Sequence, residues 1–377
     1  MDILAGIWNY AAPFLVVLTV LVFVHELGHY LVARWCGVRV EVFSIGFGSE
    51  LFGWNDKAGT RWKISWIPFG GYVKFFGDAD AASTPGAETG SMSAEERAES
   101  FHHKPLHQRA AVVVAGPAAN FLFAIVVLAG MFSIYGQPYT PPVVAGVVPG
   151  SAADAAGFQP GDRVLEVNGS EVQRFEQLRQ VVMVGLEAPL DMLVSRNGAS
   201  LHLEARPQIV EIDDGSGNMQ RIGRLGIQSG EPEFARHDPL TAIWQAVKET
   251  GFVTTATLQG VGQMISGARD ASELSGPVGI VRMSGQAAEY GVLALVNFMV
   301  FLSISLGLIN LFPIPMLDGG HLLFYAIEAI RGKPLGERSM EYGFRIGLFM
   351  VLSLMAFATW QDVAKLSVGT FLSGLFS

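Results

Sequence analysis

Cysteine and charge are both scarce in this sequence. Its 377 residues include one cysteine, Cys36, which excludes an intrachain disulfide and a cysteine-rich metal site. Only 16% of the residues are charged and 50% are hydrophobic, and the mean hydropathy of +0.37 is too high for an ordinary soluble enzyme. A formal net charge of −9 also argues against nucleic acid as a partner. We therefore expect a chain that combines membrane spans with a soluble module.

Long hydrophobic runs are present. A bilayer core of ~30 Å takes ~20 helical residues, and four stretches satisfy this length: 11–33, 110–134, 292–312 and 344–361. The first lacks a basic n-region and a small-residue cleavage site, so we expect a retained span and not a removed signal peptide. Basic residues mark cytoplasmic loops. The loop between spans three and four and the loop between spans one and two are therefore expected in the cytoplasm, with both termini and the long segment between spans two and three outside. The loop between spans three and four carries Arg331, Lys333 and Arg338.

The segments between the spans differ in pattern. Residues 42–76 combine aromatic and β-branched residues with glycines and predict strands. We expect residues 77–100 to form a mobile loop, with a helix start at Ser93. Residues 143–207 predict a compact module with a hairpin turn at Asn197-Gly198. Residues 239–270 predict an amphipathic helix at the membrane interface.

The first span carries the motif HELGH. His25 and His29 are spaced i, i+4 and share one helix face, where two imidazoles can bind one Zn²⁺. Glu26 is adjacent and can act as general base for water at the metal. The alternative is a pair of histidines that only pack between helices, but burying three such groups in lipid without a partner is costly. The motif therefore favours a catalytic zinc site.

A catalytic zinc needs a third protein ligand, and the stretch NLFPIPMLDGGH, residues 310–321, offers one. Pro313 and Pro315 break the helix just past the third span, which is tolerated at membrane depth where backbone is buried or lines a cavity. Spans one and three run in the same direction, so Asp318 and His25 both lie toward the cytoplasmic side. The alternative for Asp318 is a helix N-cap. His321 is interpreted as a structural residue or one that supports a ligand.

These motifs together resemble the site-two protease family of intramembrane zinc metalloproteases, and the bacterial regulator-of-sigma-E protease type is the most similar. The resemblance rests on HELGH in the first span, GPAAN in the second, a PDZ-like module and NLFPIPMLDGG. It implies a polytopic α-helical membrane protein with four transmembrane helices, a membrane-re-entrant β-hairpin on the cytoplasmic side and an inserted extracytoplasmic PDZ domain. It also implies that Zn²⁺ is bound by His25, His29 and Asp318, that Glu26 is the catalytic base, and that Asn310 contacts the substrate backbone.

One departure from the family concerns the soluble module. Better-known members of this branch carry two tandem PDZ modules, whereas this chain has room for one, and residues 208–238 are expected to form only a short extension. Asn120 of the GPAAN motif is expected to make only an interhelical hydrogen bond.

The predicted segments are 1–41 with the first span, 42–109 with the β-region and mobile loop, 110–136 with the second span, 137–230 with the PDZ domain and extension, 231–291 with the interfacial helix, 292–321 with the third span and LDGG, and 322–377 with the fourth span and tail.

The expected substrates are single-span membrane proteins, such as anti-sigma factors that another protease has already cut, in the bacterial inner membrane. A helical substrate must be unwound before cleavage, and an exposed strand edge can pair with the extended backbone. We expect that edge in residues 62–76, with Gly70, Gly71, Tyr72 and Val73 as substrate-binding residues. The PDZ module is expected to contact substrate termini through residues 143–148. Two alternatives are a PDZ scaffold with a structural zinc and a metal or ion transporter.

Overall fold

The computed structural model describes residues 2–80, 86, 90–185, 188–213, 219–267, 275–333 and 335–375. The chain forms two compact units, one of Met1–Ala129 with Ile243–Ser377 and one of Gly130–Ala242. The first unit begins with helix α1 (Asp2–Trp35), strands β1 (Val40–Asn55) and β2 (Arg61–Phe75), and helix α2 (Ala94–Glu99). Helix α3 (Leu106–Ile134) continues into the second unit.

The second unit is built mainly of short strands. Its elements in chain order are β3 (Gln137–Tyr139), β4 (Val144–Val147), α4 (Ala152–Ala155), β5 (Arg163–Val167), β6 (Ser170–Glu171), α5 (Phe175–Gly185), β7 (Leu190–Arg196), β8 (Ala199–Ala205), β9 (Gln208–Asp213), β10 (Met219–Arg224), β11 (Ile227–Ser229) and β12 (Glu233–Ala235). Four of these strands form one sheet in the order β6-β5-β7-β8. The others pair as β4 with β11, β3 with β12 and β9 with β10.

Helices complete the first unit. They are α6 (Pro239–Ile265), α7 (Pro277–Glu289), α8 (Val292–Asn310), α9 (Asp318–Arg331) and α10 (Glu337–Leu375). Among the described residues, four helices are long and apolar enough to cross a membrane: Trp8–Trp35, Leu106–Ile134, Val292–Asn310 and Arg338–Ala364. These correspond to the four predicted spans.

Strands β1 and β2 confirm the strand prediction for residues 42–76. Segment 40–45 of β1 pairs on one side with residues 61–64 and on the other with residues 71–75, and residues 47–55 pair with 61–67. The two halves of β2 are therefore separated by β1 and do not pair with each other. Gly70, with φ +87°, bends β2 between these halves. The 71–75 edge that faces away from β1 has no strand partner among the residues that the structure describes.

Aromatic packing holds this sheet against α1. Phe43 is 1% exposed, and its ring stacks on Trp62 at 4.2 Å and meets the Tyr30 ring edge-on at 5.9 Å. Tyr30 also donates its hydroxyl hydrogen to Asp56 at 3.0 Å, and the Trp62 indole donates to the same carboxylate at 2.9 Å. Because Tyr30 follows the HELGH motif directly, these contacts fix the sheet beside the motif.

The second unit has its own core and a confirmed turn. Asn197 and Gly198 have φ values of 50° and 83° between β7 and β8, as the predicted two-residue hairpin turn requires. Asp162 is fully buried at its side chain and makes two 2.7 Å contacts with the Arg196 guanidinium. This hydrogen bonding holds the pKa of Asp162 below its usual range, although burial acts in the opposite direction.

Two expectations about this unit were wrong. Residues 208–238 are more than a short extension, since they contain four strands, and Leu225 is 4% exposed within the core. Strand β4, in the 143–148 segment, is not free to receive a peptide, because β11 pairs with one side and the Val144 backbone bonds to residues 161 and 162 on the other. Strands β11 and β12 have three residues each, which is too short for a periodic pattern to be detected in the sequence.

The remaining local predictions have mixed outcomes. Ser93 caps α2 in a capping box with Glu96, as expected. Helix α6 ends at Ile265, so the predicted helix over 239–270 runs past its observed end. The predicted mobile loop over 77–100 lies partly outside the described residues.

Candidate metal centre

Helix α1 brings the two histidines of HELGH together. His25 Nε2 lies 3.2 Å from His29 Nε2, and the ring planes are inclined by 82°. The i, i+4 spacing places both rings over one helix face. Their Nε2 atoms therefore point to a common position beside the helix.

Asp318 reaches this position from the other side. It is the first residue of α9, where Leu317 is the N-cap and no side chain caps the helix, so the N-cap alternative for Asp318 is not observed. Its Oδ2 lies 3.2 Å from His25 Nε2 and its Oδ1 lies 3.5 Å from His29 Nε2. From the sequence, Asp318 is expected near the HELGH histidines because both are placed toward the cytoplasmic side of their spans. The structure agrees with this proximity.

The glycines of LDGG allow the loop before α9 to turn this tightly. A Cβ at Gly319 would lie 2.2 Å from the Phe312 carbonyl oxygen, and one at Gly320 would lie 2.5 Å from the Ile314 carbonyl oxygen. Met316 adopts φ +85°, a conformation that a residue with a side chain adopts at a cost of about 1–3 kcal/mol. The loop is therefore held in one conformation that delivers Asp318 to the histidines.

The residues fit a zinc ion. Ligand atoms of a tetrahedral Zn²⁺ site lie about 3.3 Å apart, given Zn–N and Zn–O bonds of about 2.0–2.2 Å. The three distances among His25, His29 and Asp318 are 3.2, 3.2 and 3.5 Å. The Asp318 Oδ2 atom is buried and has no hydrogen-bond partner, which is costly unless something else compensates the charge. Two imidazoles and a carboxylate are a common zinc donor set.

Helix α3 supports both histidines from behind. The His29 Nδ1–H group donates to the Val112 carbonyl oxygen at 2.8 Å, which leaves Nε2 free to bind a metal. The Asn120 side-chain amide lies 3.2 Å from His25 Nδ1. This contact is the interhelical hydrogen bond expected for Asn120, but its partner is a candidate ligand, which sequence patterns did not indicate.

Small residues let α1 and α3 approach closely enough for these contacts. A Cβ at Gly28 would lie 2.2 Å from the Ala115 carbonyl oxygen and 2.7 Å from Ala119 Cβ. A Cβ at Gly116 would lie 2.2 Å from His29 Nε2. The run AGPAAN, residues 115–120, was the sequence signal for this close packing, because small residues at helix interfaces allow short interhelical distances.

Glu26 and the free edge of β2 border the same cavity. Gly71 packs so closely on α1 that a Cβ there would lie 2.7 Å from Val22 and 3.2 Å from Glu26 Cγ. The Val73 backbone amide interacts with the Glu26 carboxylate. Val73 therefore directs its amide away from β1 and toward the candidate metal position.

The cavity has a volume of about 190 Å³. Most of the predicted site residues line it, namely His25, Glu26, His29, Gly71, Tyr72, Val73, Asn310 and Asp318. Gly70 does not line it and instead packs against the Phe47 ring at the bend of β2. Lining residues that the sequence did not indicate are Phe75, Phe101, Val112, Val113 and Met316.

Electrostatics distinguish the two α9 residues at the cavity. Burial alone would raise the pKa of the Asp318 carboxyl, but the neighbouring His29 and His25 rings lower it below its usual range. Asp318 is therefore a carboxylate at neutral pH. Burial lowers the pKa of His321, which lies one turn along α9 and also lines the cavity, so a neutral imidazole faces the site.

Comparison with known proteins identifies the family. The model of Peptidase family M50 matches residues 13–354. A protein of Agrobacterium fabrum named as a zinc metalloprotease is 49% identical over 363 residues, covering 95% of this chain and 96% of the relative. The metalloprotease MmpA of Caulobacter vibrioides is 39% identical over 388 residues, covering 96% of this chain and 97% of the relative.

A solved structure also matches in part. The PDZ domain of an SdrC-like protein from Listeria monocytogenes covers 25% of this chain and 88% of its own, at 14% identity and a TM-score of 0.18. That likeness carries no weight for the fold of residues 137–230, so their PDZ identity stays a prediction.

The chain belongs to peptidase family M50, the site-two protease family, as the sequence motifs indicated. It is a zinc metalloprotease with helices that can span a membrane. This membership favours neither the scaffold nor the transporter alternative.

The close approach at Gly116 generates a prediction. Gly116→Ala should weaken zinc binding by about 100-fold or more, because the new methyl group would displace the His29 ring, and even changes that only disturb the orientation of a ligand cost 10–100-fold. The dissociation constant can be measured by competition with a chelator. Gly130→Ala is the matched control on the same helix, since a Cβ there meets nothing within 4 Å. Equal zinc affinity in the two variants would contradict the proposed role of this contact.

Proposed function

We propose that this M50 peptidase hydrolyses a peptide bond within or beside the membrane-spanning segment of single-span membrane proteins. The observation that carries the proposal is the placement of the candidate site. One cavity is shared by two histidines and a glutamate of a helix that can span a membrane, an aspartate of a second helix, and a strand edge without a strand partner among the described residues. A site so placed can act on substrate backbone that arrives from the bilayer.

The chain's own residues have separate tasks in the proposed reaction. His25, His29 and Asp318 would hold Zn²⁺ and leave a fourth position open. When bound, zinc polarises the scissile carbonyl and lowers the pKa of water to about 7. Glu26 lies beside the ligands without being one, and it removes a proton from the attacking water and delivers it to the leaving amine. Its interaction with the Val73 amide keeps the carboxylate oriented toward the cavity.

The edge of residues 71–75 would hold the substrate in an extended form. Backbone groups in a membrane need hydrogen-bond partners once a helix is unwound, and a free strand edge supplies them. Gly71, Tyr72 and Val73 line the cavity on this edge. Asn310, at the end of α8, lines it from another side and offers an amide to the substrate backbone. Gly70 contributes by bending β2 so that the edge reaches Glu26.

The second unit offers a place for a substrate terminus. A groove of about 610 Å³ lies between α5 and β11, and its lining includes Leu178, Val182, Leu225 and Ile227. Strand β11 pairs with β4 on one side only in the described part of the chain. Pairing at the free side of β11 would replace the 143–148 edge that was expected from the sequence.

Charge favours an anionic peptide end in this groove. Arg179 and Arg224 are the charged residues that line it, and none of its lining residues is acidic. Leu225 and Gly226 are buried, and within the described chain no acceptor is found for their backbone N–H groups, although both carbonyls accept bonds from neighbouring residues. Such amides bind a free carboxylate. We therefore assign the groove to a peptide C-terminus with an apolar last residue.

The proposed setting is the bacterial inner membrane. Arg331 and Lys333 lie between α8 and the last span, which begins at Arg338, and basic residues favour the cytoplasmic side. The second unit and both termini would then face away from the cytoplasm. Single-span proteins such as anti-sigma factors, trimmed first by another protease, are the substrate class that this arrangement suits in regulated intramembrane proteolysis.

The division of roles at the metal gives the first test. Glu26→Gln should reduce cleavage to background and leave zinc content near one equivalent, because Glu26 moves protons and does not bind the metal. His25→Ala and Asp318→Ala should lose zinc and cleavage together. The test measures zinc content by atomic absorption and cleavage of a membrane-spanning substrate in detergent. Cleavage by Glu26→Gln at a near wild-type rate would assign the base to another residue.

The strand edge gives the second test. With Cys36→Ala and Glu26→Gln to remove the native thiol and block cleavage, Tyr72→Cys should form disulfides with substrates that carry single cysteines around the scissile bond. Paired strands place facing residues about 4.5–5.5 Å apart and alternate faces along the chain. Crosslinking should therefore rise and fall with a period of two residues. A smooth profile, or none, would show that the edge does not pair with substrate.

The groove gives the third test. A fluorescent peptide with a free apolar C-terminal residue should bind Glu26→Gln protein at least about 10-fold more tightly than its C-terminal amide, since the amide lacks the charge that the groove recognises. Arg179→Gln and Arg224→Gln should each weaken binding of the free acid. Arg206→Gln is the control, because Arg206 is 73% exposed and does not line the groove. Equal binding of acid and amide would contradict capture of a C-terminus.

A further inference from the structure

The geometry points to Asn120 as a positioning residue that selects how His25 presents itself to zinc. This inference rests on the proposed zinc ligands. Asn120 is fully buried within α3, and its amide nitrogen Nδ2 lies 3.2 Å from His25 Nδ1, the ring nitrogen opposite the candidate metal position.

The burial of this amide needs an explanation. A primary amide removed from water without hydrogen bonds costs roughly 1–3 kcal/mol or more. Among the residues that the structure describes, the Asn120 side chain has its polar contact with His25, and its buried Oδ1 has no hydrogen-bond partner. A hydrophobic residue would fill the same space between helices without that penalty. The contact with His25 is therefore what offsets part of this cost.

Zinc binding at His25 Nε2 decides which amide atom faces the ring. An imidazole that binds metal through Nε2 carries its proton on Nδ1 and needs an acceptor there. The nitrogen and oxygen of an asparagine amide exchange places by rotation of the side chain. With Oδ1 turned toward Nδ1–H, the oxygen gains the donor it otherwise lacks, and Nε2 points its lone pair at the metal.

The surrounding helices hold Asn120 in reach of His25. Its backbone carbonyl accepts a 2.9 Å hydrogen bond from Ser303 Oγ on α8. Ala119 packs against Gly28 one residue away, which brings α3 close to α1. His29 receives equivalent support from the Val112 carbonyl on the same helix. Helix α3 thus contacts both histidines, His29 through a backbone carbonyl and His25 through the Asn120 side chain.

The experiment measures zinc affinity in the full-length protein, by competition with a chelator, together with thermal unfolding of the metal-free form. Asn120→Leu keeps the branched shape of the side chain and removes the acceptor, and we expect zinc binding to weaken 10–100-fold. Asn120→Asp restores an oxygen acceptor, and its zinc affinity should return to within about 3-fold of wild type. Asn120→Ala should weaken zinc binding like Asn120→Leu and serves if the leucine variant does not fold.

Ser303→Ala is the matched control. It removes a hydrogen bond to the Asn120 backbone at the same helix interface but leaves the His25 contact in place. Its zinc affinity should match wild type even if its unfolding temperature falls. If Asn120→Leu and Asn120→Ala bind zinc as tightly as wild type, Asn120 is only an interhelical bond and the inference is overturned.

A parallel measurement on His25→Ala separates this failure from failure of the proposed site. Unchanged zinc affinity in His25→Ala would overturn the ligand assignment itself. Loss of zinc in His25→Ala with unchanged affinity in the Asn120 variants would overturn only the positioning role. The visible spectrum of the cobalt-substituted protein adds a readout of ligand geometry that a purely structural role of Asn120 would not shift.

Discussion

Polar side chains in an apolar helix need partners from the protein, and this constraint shapes the whole first unit. His25, Glu26 and His29 lie within a helix that can span a membrane, where hydrocarbon supplies no hydrogen bonds. Asp318 meets the two imidazoles, and the Val73 amide meets Glu26. The sheet, helix α3 and the loop before α9 each deliver one of these partners. Their positions follow from the need to accommodate these groups.

Helix α3 positions both histidines because one run of its residues combines small and polar side chains. Ala115, Gly116 and Ala119 let α1 approach, and Asn120 then lies within reach of His25. A larger residue at Gly116 would occupy the space of the His29 ring. Close packing and hydrogen bonding therefore depend on each other, and neither could be changed alone.

The sequence predicted those parts of the site that depend on local spacing. The i, i+4 histidines, the four spans and the Asn197-Gly198 turn all depend on residues near each other in the chain. The order of segments in the sheet, with residues 40–45 between 61–64 and 71–75, depends on pairing between distant residues, and a pattern of apolar residues is compatible with several orders. The groove beside β11 was missed for a related reason, since a three-residue strand gains its place from β4 and not from its own sequence.

Asp78 limits the length of the edge at residues 71–75. It accepts a 2.9 Å hydrogen bond from the Phe75 backbone N–H, and the Val73 amide interacts with Glu26, so few backbone donors of this edge are left for a substrate strand. A strand that paired with the remaining groups would make only a few hydrogen bonds, each worth about 0.5–1.5 kcal/mol net. A cut in the middle of that strand would leave each fragment with only part of these few hydrogen bonds. In the proposed reaction the short edge would favour release of both fragments, so the feature that limits binding of the substrate would also support repeated turnover.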